Sequence, residues 1–95
     1  MLGKKVIVRA NGAGVFFGTL KEKNGDEVVL SRARKLYYWE GAGAVEGIAQ
    51  DGVSKPNNCR FTVWIDEICI MNVCQILPCT EKASKIIEGV KEWKY

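Results

Sequence analysis

The stretch Val6-Ile7-Val8-Arg9-Ala10-Asn11-Gly12-Ala13-Gly14-Val15-Phe16-Phe17-Gly18 constrains this chain more than any other part of it. β-Branched and aromatic residues flank a short turn of asparagine and glycine, residues that tolerate the positive φ angles a tight strand-to-strand connection requires. The first two strands are therefore expected at residues 5–9 and 15–21. A second Asn-Gly, in Lys23-Asn24-Gly25-Asp26, leads into a strand over 27–31 and, beyond two arginines, another over 35–40. The opening third reads as an antiparallel meander.

Residues 41–52 lose this alternation. Ala42, Ala44, Val45, Ile48 and Ala49 recur at three- and four-residue steps, the spacing of a short helix, which Gly52 ends. Ser54-Lys55-Pro56-Asn57-Asn58 is a polar loop. Strands resume at 60–65, where Phe61, Val63 and Ile65 share a face, and at 68–77, apolar on both faces as a central strand is. Asp66-Glu67 is expected to be the tight turn between them; adjacent side chains diverge there and cannot work as a carboxylate pair. After Pro78-Cys79, Thr80 suits an N-cap, and Ala83, Ile86, Ile87 and Val90 form the apolar stripe of an amphipathic C-terminal helix. Gly89 and the aromatic tail at 93–95 point to a C-terminus that folds back or packs on a neighbouring subunit. The expected fold is α+β in a single domain over residues 1–95, mainly antiparallel sheet with a short middle helix and the C-terminal helix. A chain of 95 residues has a modest core, so oligomerisation is expected to help it.

Composition narrows the chemistry. The chain has no histidine, so it lacks the commonest general acid/base and the commonest metal ligand. Cys59, Cys69, Cys74 and Cys79 are separated by ten, five and five positions, unlike the paired spacing of zinc sites; they read as reduced core residues. No catalysis, metal or cofactor is expected. A net charge of +3, spread along the chain, suits a small anionic ligand better than long nucleic acid. Met1-Leu2-Gly3-Lys4-Lys5 runs straight into a strand with no apolar region behind its charges, and no stretch approaches membrane-spanning length, so a cytoplasmic protein without membrane contact is expected.

Three groups of residues suit binding of a nucleotide. Arg9, Asn11, Gly14 and Phe16 surround the first turn, where backbone amides could meet phosphate and one aromatic could stack; taken alone the turn reads as an ordinary hairpin, and it is the neighbouring arginine and aromatics that suggest more. Arg32 and Arg34, two apart on a strand, would share a face and repel unless an anion lay between them or carboxylates balanced them. An Arg34→Ala change is then expected to weaken binding at least tenfold without unfolding the protein. In Tyr37-Tyr38-Trp39 one side should be buried and the other presented, as a stacking face or a subunit contact, and Tyr38 and Trp39 are the candidates. Asn58 and Arg60, closing the polar loop, could read a base edge and a phosphate, or simply cap the loop.

Val6-Ile7-Val8-Arg9, Ala13 to Leu20, Leu36-Tyr37-Tyr38-Trp39 with Gly41-Ala42, Lys55-Pro56, Phe61-Thr62 and Leu77-Pro78-Cys79-Thr80, in that order and spacing, resemble the first class of phage-encoded Thoeris anti-defence proteins. The resemblance runs nearly end to end. It implies a sponge that binds cyclic ADP-ribose isomers made by bacterial TIR-domain proteins and holds them intact in the host cytoplasm. Some members of that family also capture cyclic trinucleotides of CBASS defence. It further implies a homo-oligomer, from a dimer to a hexamer, with pockets between subunits. Two other classes suit the same residues: a small β-rich nucleic-acid-binding domain, and a phage structural or assembly protein whose aromatics form interfaces.

Overall fold

The computed structural model describes residues 1–94; Tyr95, in the aromatic tail, lies outside them. Six strands and two helices follow in the order β1 (Lys5–Ala10), β2 (Gly14–Asn24), β3 (Glu27–Tyr38), α1 (Val45–Asp51), β4 (Arg60–Phe61), β5 (Ile65–Ile70), β6 (Val73–Pro78) and α2 (Glu81–Gly89), with a single 3₁₀ turn at Pro56–Asn58. The strands form one sheet in the order β4-β3-β2-β1-β6, with β5 also on β3, and every strand pairing is antiparallel. β4 and β5 share the outer edge of the long strand β3: Leu36 pairs with Phe61, and Val28 to Ala33 pair with Ile70 to Ile65.

The connection from β5 to β6 decides the shape of this sheet. The two strands are four strand spacings apart, roughly 19 Å if the sheet lay flat, yet only Met71 and Asn72 join them, a span of at most about 11 Å. The sheet must curl into a partly closed barrel. Hydrogen bonds seal the approach: Val73 N donates to Asp26 O (2.8 Å) and Asn11 N to Asn72 O (3.0 Å).

Strand alternation then sorts the apolar residues into two cores. Val6, Val8, Phe16, Leu20, Val28, Leu30 and Ile70 fill the concave side. Ile7, Phe17, Leu36 and Phe61 point the other way and bury Val45 and Ile48 of α1 and Ile87 of α2. Consecutive Phe16 and Phe17 therefore serve opposite cores. α2 starts as expected, with the Thr80 side chain accepting from Ala83 N (3.1 Å) and donating to Gln50 O (2.7 Å), which ties it to the end of α1.

Gly52 ends α1 as its sequence position suggests. Its φ of +77° is a left-handed conformation, and a Cβ there would sit 2.9 Å from Ile86 side-chain atoms, so no other residue fits without strain. Gly52→Ala is expected to cost about 2–3 kcal/mol, combining backbone strain with the clash. A chemical-denaturation midpoint equal to that of the parent would show that the α1–α2 junction yields freely.

Four expectations need correction. The proposed strands at 27–31 and 35–40 are one twelve-residue strand, β3, which continues through both arginines. Arg32 there takes φ +47°, where the register with β2 slips between Phe17 and Thr19. The strand expected over 68–77 is two strands, and the reversal falls at Met71-Asn72, where Asn72 takes φ +61°, rather than at Asp66-Glu67, which lies inside β5. β4 is also shorter than the strand expected over 60–65. Because the chain turns at Asn72, Cys69 and Cys74 are exposed edge-strand residues, not core; Cys59 and Cys79 are half-buried, and all four are free thiols. Burial pushes the Cys79 thiol up to about 12, leaving it inert at neutral pH.

Candidate functional site

At the end of β3 two residues oppose one step of β4: Leu36 pairs with Phe61 and Tyr38 with Arg60, so Tyr37 is the extra residue of a bulge. The bulge turns Tyr37 onto Trp93, with the rings stacked at 5.0 Å and 10°. Trp93 is brought there by the segment after α2, which runs beside β4: Trp93 N donates to Phe61 O (2.9 Å), and Glu92 accepts from Trp64 N (2.8 Å). The tail folds back on its own chain, one of the two outcomes its sequence allows.

Between the tail, the end of β3 and the 3₁₀ turn opens a cleft of about 630 Å³ lined by Tyr38, Glu40, Asn57, Asn58, Cys59, Arg60 and Trp93. The Arg60 guanidinium lies 5.8 Å from the Tyr38 ring centre and 5.7 Å from that of Trp93, a cation held by two aromatic rings with its donor edges available. Glu40 is the acidic counterpart: one carboxylate oxygen accepts from Tyr38 Oη (2.8 Å), the other from Asn58 Nδ2 (3.3 Å). A second cleft of about 330 Å³ shares Asn57, Cys59 and Trp93 and adds Pro56, Lys91, Glu92 and Lys94. The first cleft thus holds the Arg60 guanidinium together with the Glu40 carboxylate, and the second sets Lys91 and Lys94 beside Glu92.

The hydrogen bond to Glu40, together with its charge, holds the Tyr38 phenol above the usual tyrosine range; Arg60 opposes the shift weakly. Glu40→Gln removes the charge, so Tyr38 is expected to ionise at lower pH in that variant. Ultraviolet titration of phenolate measures this, and identical curves would mean that the two groups do not meet in solution.

Of the residues the sequence proposed for binding, Tyr38, Asn58 and Arg60 come together in this cleft. The others do not. Arg9 and Asn11 are exposed at the β1–β2 turn, where Gly14 takes φ +108° and a Cβ would meet Lys35 Cε at 3.0 Å. Phe16 is buried in the concave core and offers no stacking face. Trp39 packs half-buried against the helix-side core. Arg32 is exposed with its guanidinium 4.7 Å from the Trp64 ring centre, whereas Arg34 is only 1% exposed. The bulge at Arg32 breaks the alternation that would have put the two on one face.

Arg34 must be reassigned. Its guanidinium donates to four backbone carbonyls, Phe61 O (3.2 Å), Thr62 O (3.1 Å), Ile87 O (3.0 Å) and Val90 O (2.9 Å), leaving no edge for a phosphate. Sequence reasoning missed Glu40, Trp93, Lys91 and Lys94. The one signal for Trp93 was a large aromatic in a polar tail; Glu40 looked like any charge after a strand. Among the described residues no three His, Cys, Asp or Glu side chains stand together as a metal would require. No helix among them is long and apolar enough to cross a membrane.

A family model described as a domain of unknown function (DUF6948) matches residues 3–87, a span that includes Tyr38, Glu40 and Asn57 to Arg60 but stops before the tail. No curated protein and no solved structure matches the chain.

Proposed function

The chain belongs to the DUF6948 family, a domain of unknown function, and we propose that it binds a small nucleotide signal in the Trp93 cleft and sequesters it without cleaving it. The observation that carries this reading is the Arg60 guanidinium set between the rings of Tyr38 and Trp93 beside two asparagine amides. Aromatic faces accept a base or ribose, amides pair with base edges, and Arg60, Lys91 and Lys94 supply positive charge for a diphosphate. A cleft of about 630 Å³ suits a single compact ligand.

The resemblance of the sequence to phage Thoeris anti-defence proteins supports cyclic ADP-ribose isomers as the ligand, cyclic oligonucleotides as a second class, and the bacterial cytoplasm as the setting. It also supports a homo-oligomer, for which exposed Val63, Ile65 and Met71 offer apolar contact surface. Sequestration is mass action, so affinity must be high; a Kd near 1 nM corresponds to about −12 kcal/mol.

The test is to incubate the protein with cyclic ADP-ribose isomers and cyclic di- and trinucleotides, follow its melting temperature, and analyse the ligand after heat denaturation. The expected result is a raised melting temperature and release of intact ligand. No shift across the panel overturns nucleotide binding. A shift followed by a degraded ligand replaces the sponge with an enzyme.

A further inference from the structure

We propose that Glu40 selects the base: its carboxylate receives the exocyclic amino group of an aminopurine and turns the ligand's phosphates towards Arg60. This rests on the nucleotide reading above and names the part of the ligand that each side of the cleft takes.

A carboxylate offers about four acceptor positions, and Tyr38 Oη and Asn58 Nδ2 occupy one on each oxygen of Glu40. Those two bonds hold the carboxylate in place while leaving about two positions open. A group that docks there must donate hydrogen bonds and must not be anionic, because a phosphate would face an acceptor-only group of its own charge sign. Hydroxyls could donate, but the aromatic lining favours a planar donor.

The amino group of adenine, or the adjacent N–H groups of guanine, meets these conditions. The half-exposed Tyr38 ring lines the same cleft and presents flat apolar surface to the rest of the base. Phosphates then fall at the Arg60 edge, the cationic side chain that lines the same cleft. The cleft therefore has a polarity, base at Glu40 and phosphate at Arg60, and its selectivity resides in the amino group.

The test compares adenosine 5′-monophosphate with purine riboside 5′-monophosphate, which lacks only the amino group, by calorimetry on the parent protein, Glu40→Gln and Glu40→Ala. A charge-assisted hydrogen bond is expected to make the adenosine compound bind about tenfold or more tightly to the parent. That ratio should shrink in Glu40→Gln and fall to about one in Glu40→Ala, with melting temperatures within a few degrees of the parent. Equal binding of both compounds to the parent, or a preference that survives in Glu40→Ala, overturns the role of Glu40 while leaving nucleotide binding intact. If neither compound and no cyclic nucleotide binds, the nucleotide reading itself falls.

Discussion

Arg34→Ala should lower the melting temperature by roughly 15 °C or more, a loss of about 3–5 kcal/mol. The guanidinium is buried, and its four acceptors come from two parts of the chain far apart in sequence: Phe61 and Thr62 at the end of β4, Ile87 and Val90 at the end of α2. Removing it strands several carbonyls in the interior, each of which costs the desolvation of an unsatisfied acceptor. α2 has no basic residue in its own last turn, so Arg34 also supplies the positive charge that its carboxyl end lacks. Burial pulls the Arg34 pKa down and Glu92 partly restores it, but a guanidinium stays protonated at any physiological pH.

Lysine at this position keeps the charge but not the planar fork, so Arg34→Lys should recover only a minor part of the loss. Thermal unfolding by circular dichroism measures both variants. A fall of less than about 5 °C in Arg34→Ala would mean that the carbonyls find other partners and that the guanidinium does not hold β4 to the end of α2. Any loss of ligand binding in this variant should accompany loss of the fold, because Val90 O begins the tail that carries Trp93.

Arg60→Ala should weaken ligand binding at least tenfold, about 1.4 kcal/mol or more, and leave the melting temperature within a few degrees. The side chain is exposed and no core contact depends on it, but it is the one arginine that lines the cleft, held between Tyr38 and Trp93. Calorimetry with a ligand identified by the nucleotide panel makes the measurement. Unchanged affinity would remove this cleft from the binding site. Affinity that grows with oligonucleotide length and falls steeply with salt would instead favour a nucleic-acid-binding domain.

The contrast between Arg34 and Arg60 shows where sequence reasoning succeeds here and where it stops. Both are arginines beside aromatics. Arg60 follows a Pro-Asn-Asn loop, and loop residues are commonly exposed, so its place in a cleft was legible. Arg34 looked like half of an exposed pair because two residues on an unbroken strand share a face; a bulge at Arg32 cancels that rule, and bulges leave no reliable mark when the residue involved is not glycine. The turn at Met71-Asn72 was hidden for a similar reason, since an Asn in the left-handed region lacked the neighbouring glycine that marks the other turns.

The amino-acid sequence by itself determined the local elements: the first hairpin, the Gly52 stop of α1, the Thr80 cap and the apolar stripe of α2. Each depends on side-chain period and on backbone preferences that act within a few residues. Only the tertiary structure decided the curl of the sheet, the burial of Arg34 and the meeting of Tyr38 and Glu40 with Arg60 and Trp93, because each of these joins segments far apart in the chain, as Val6 with Pro78 and Arg34 with Val90. Such contacts follow from which strand edges pair and from which carbonyls a buried charge must satisfy, and no local pattern encodes either.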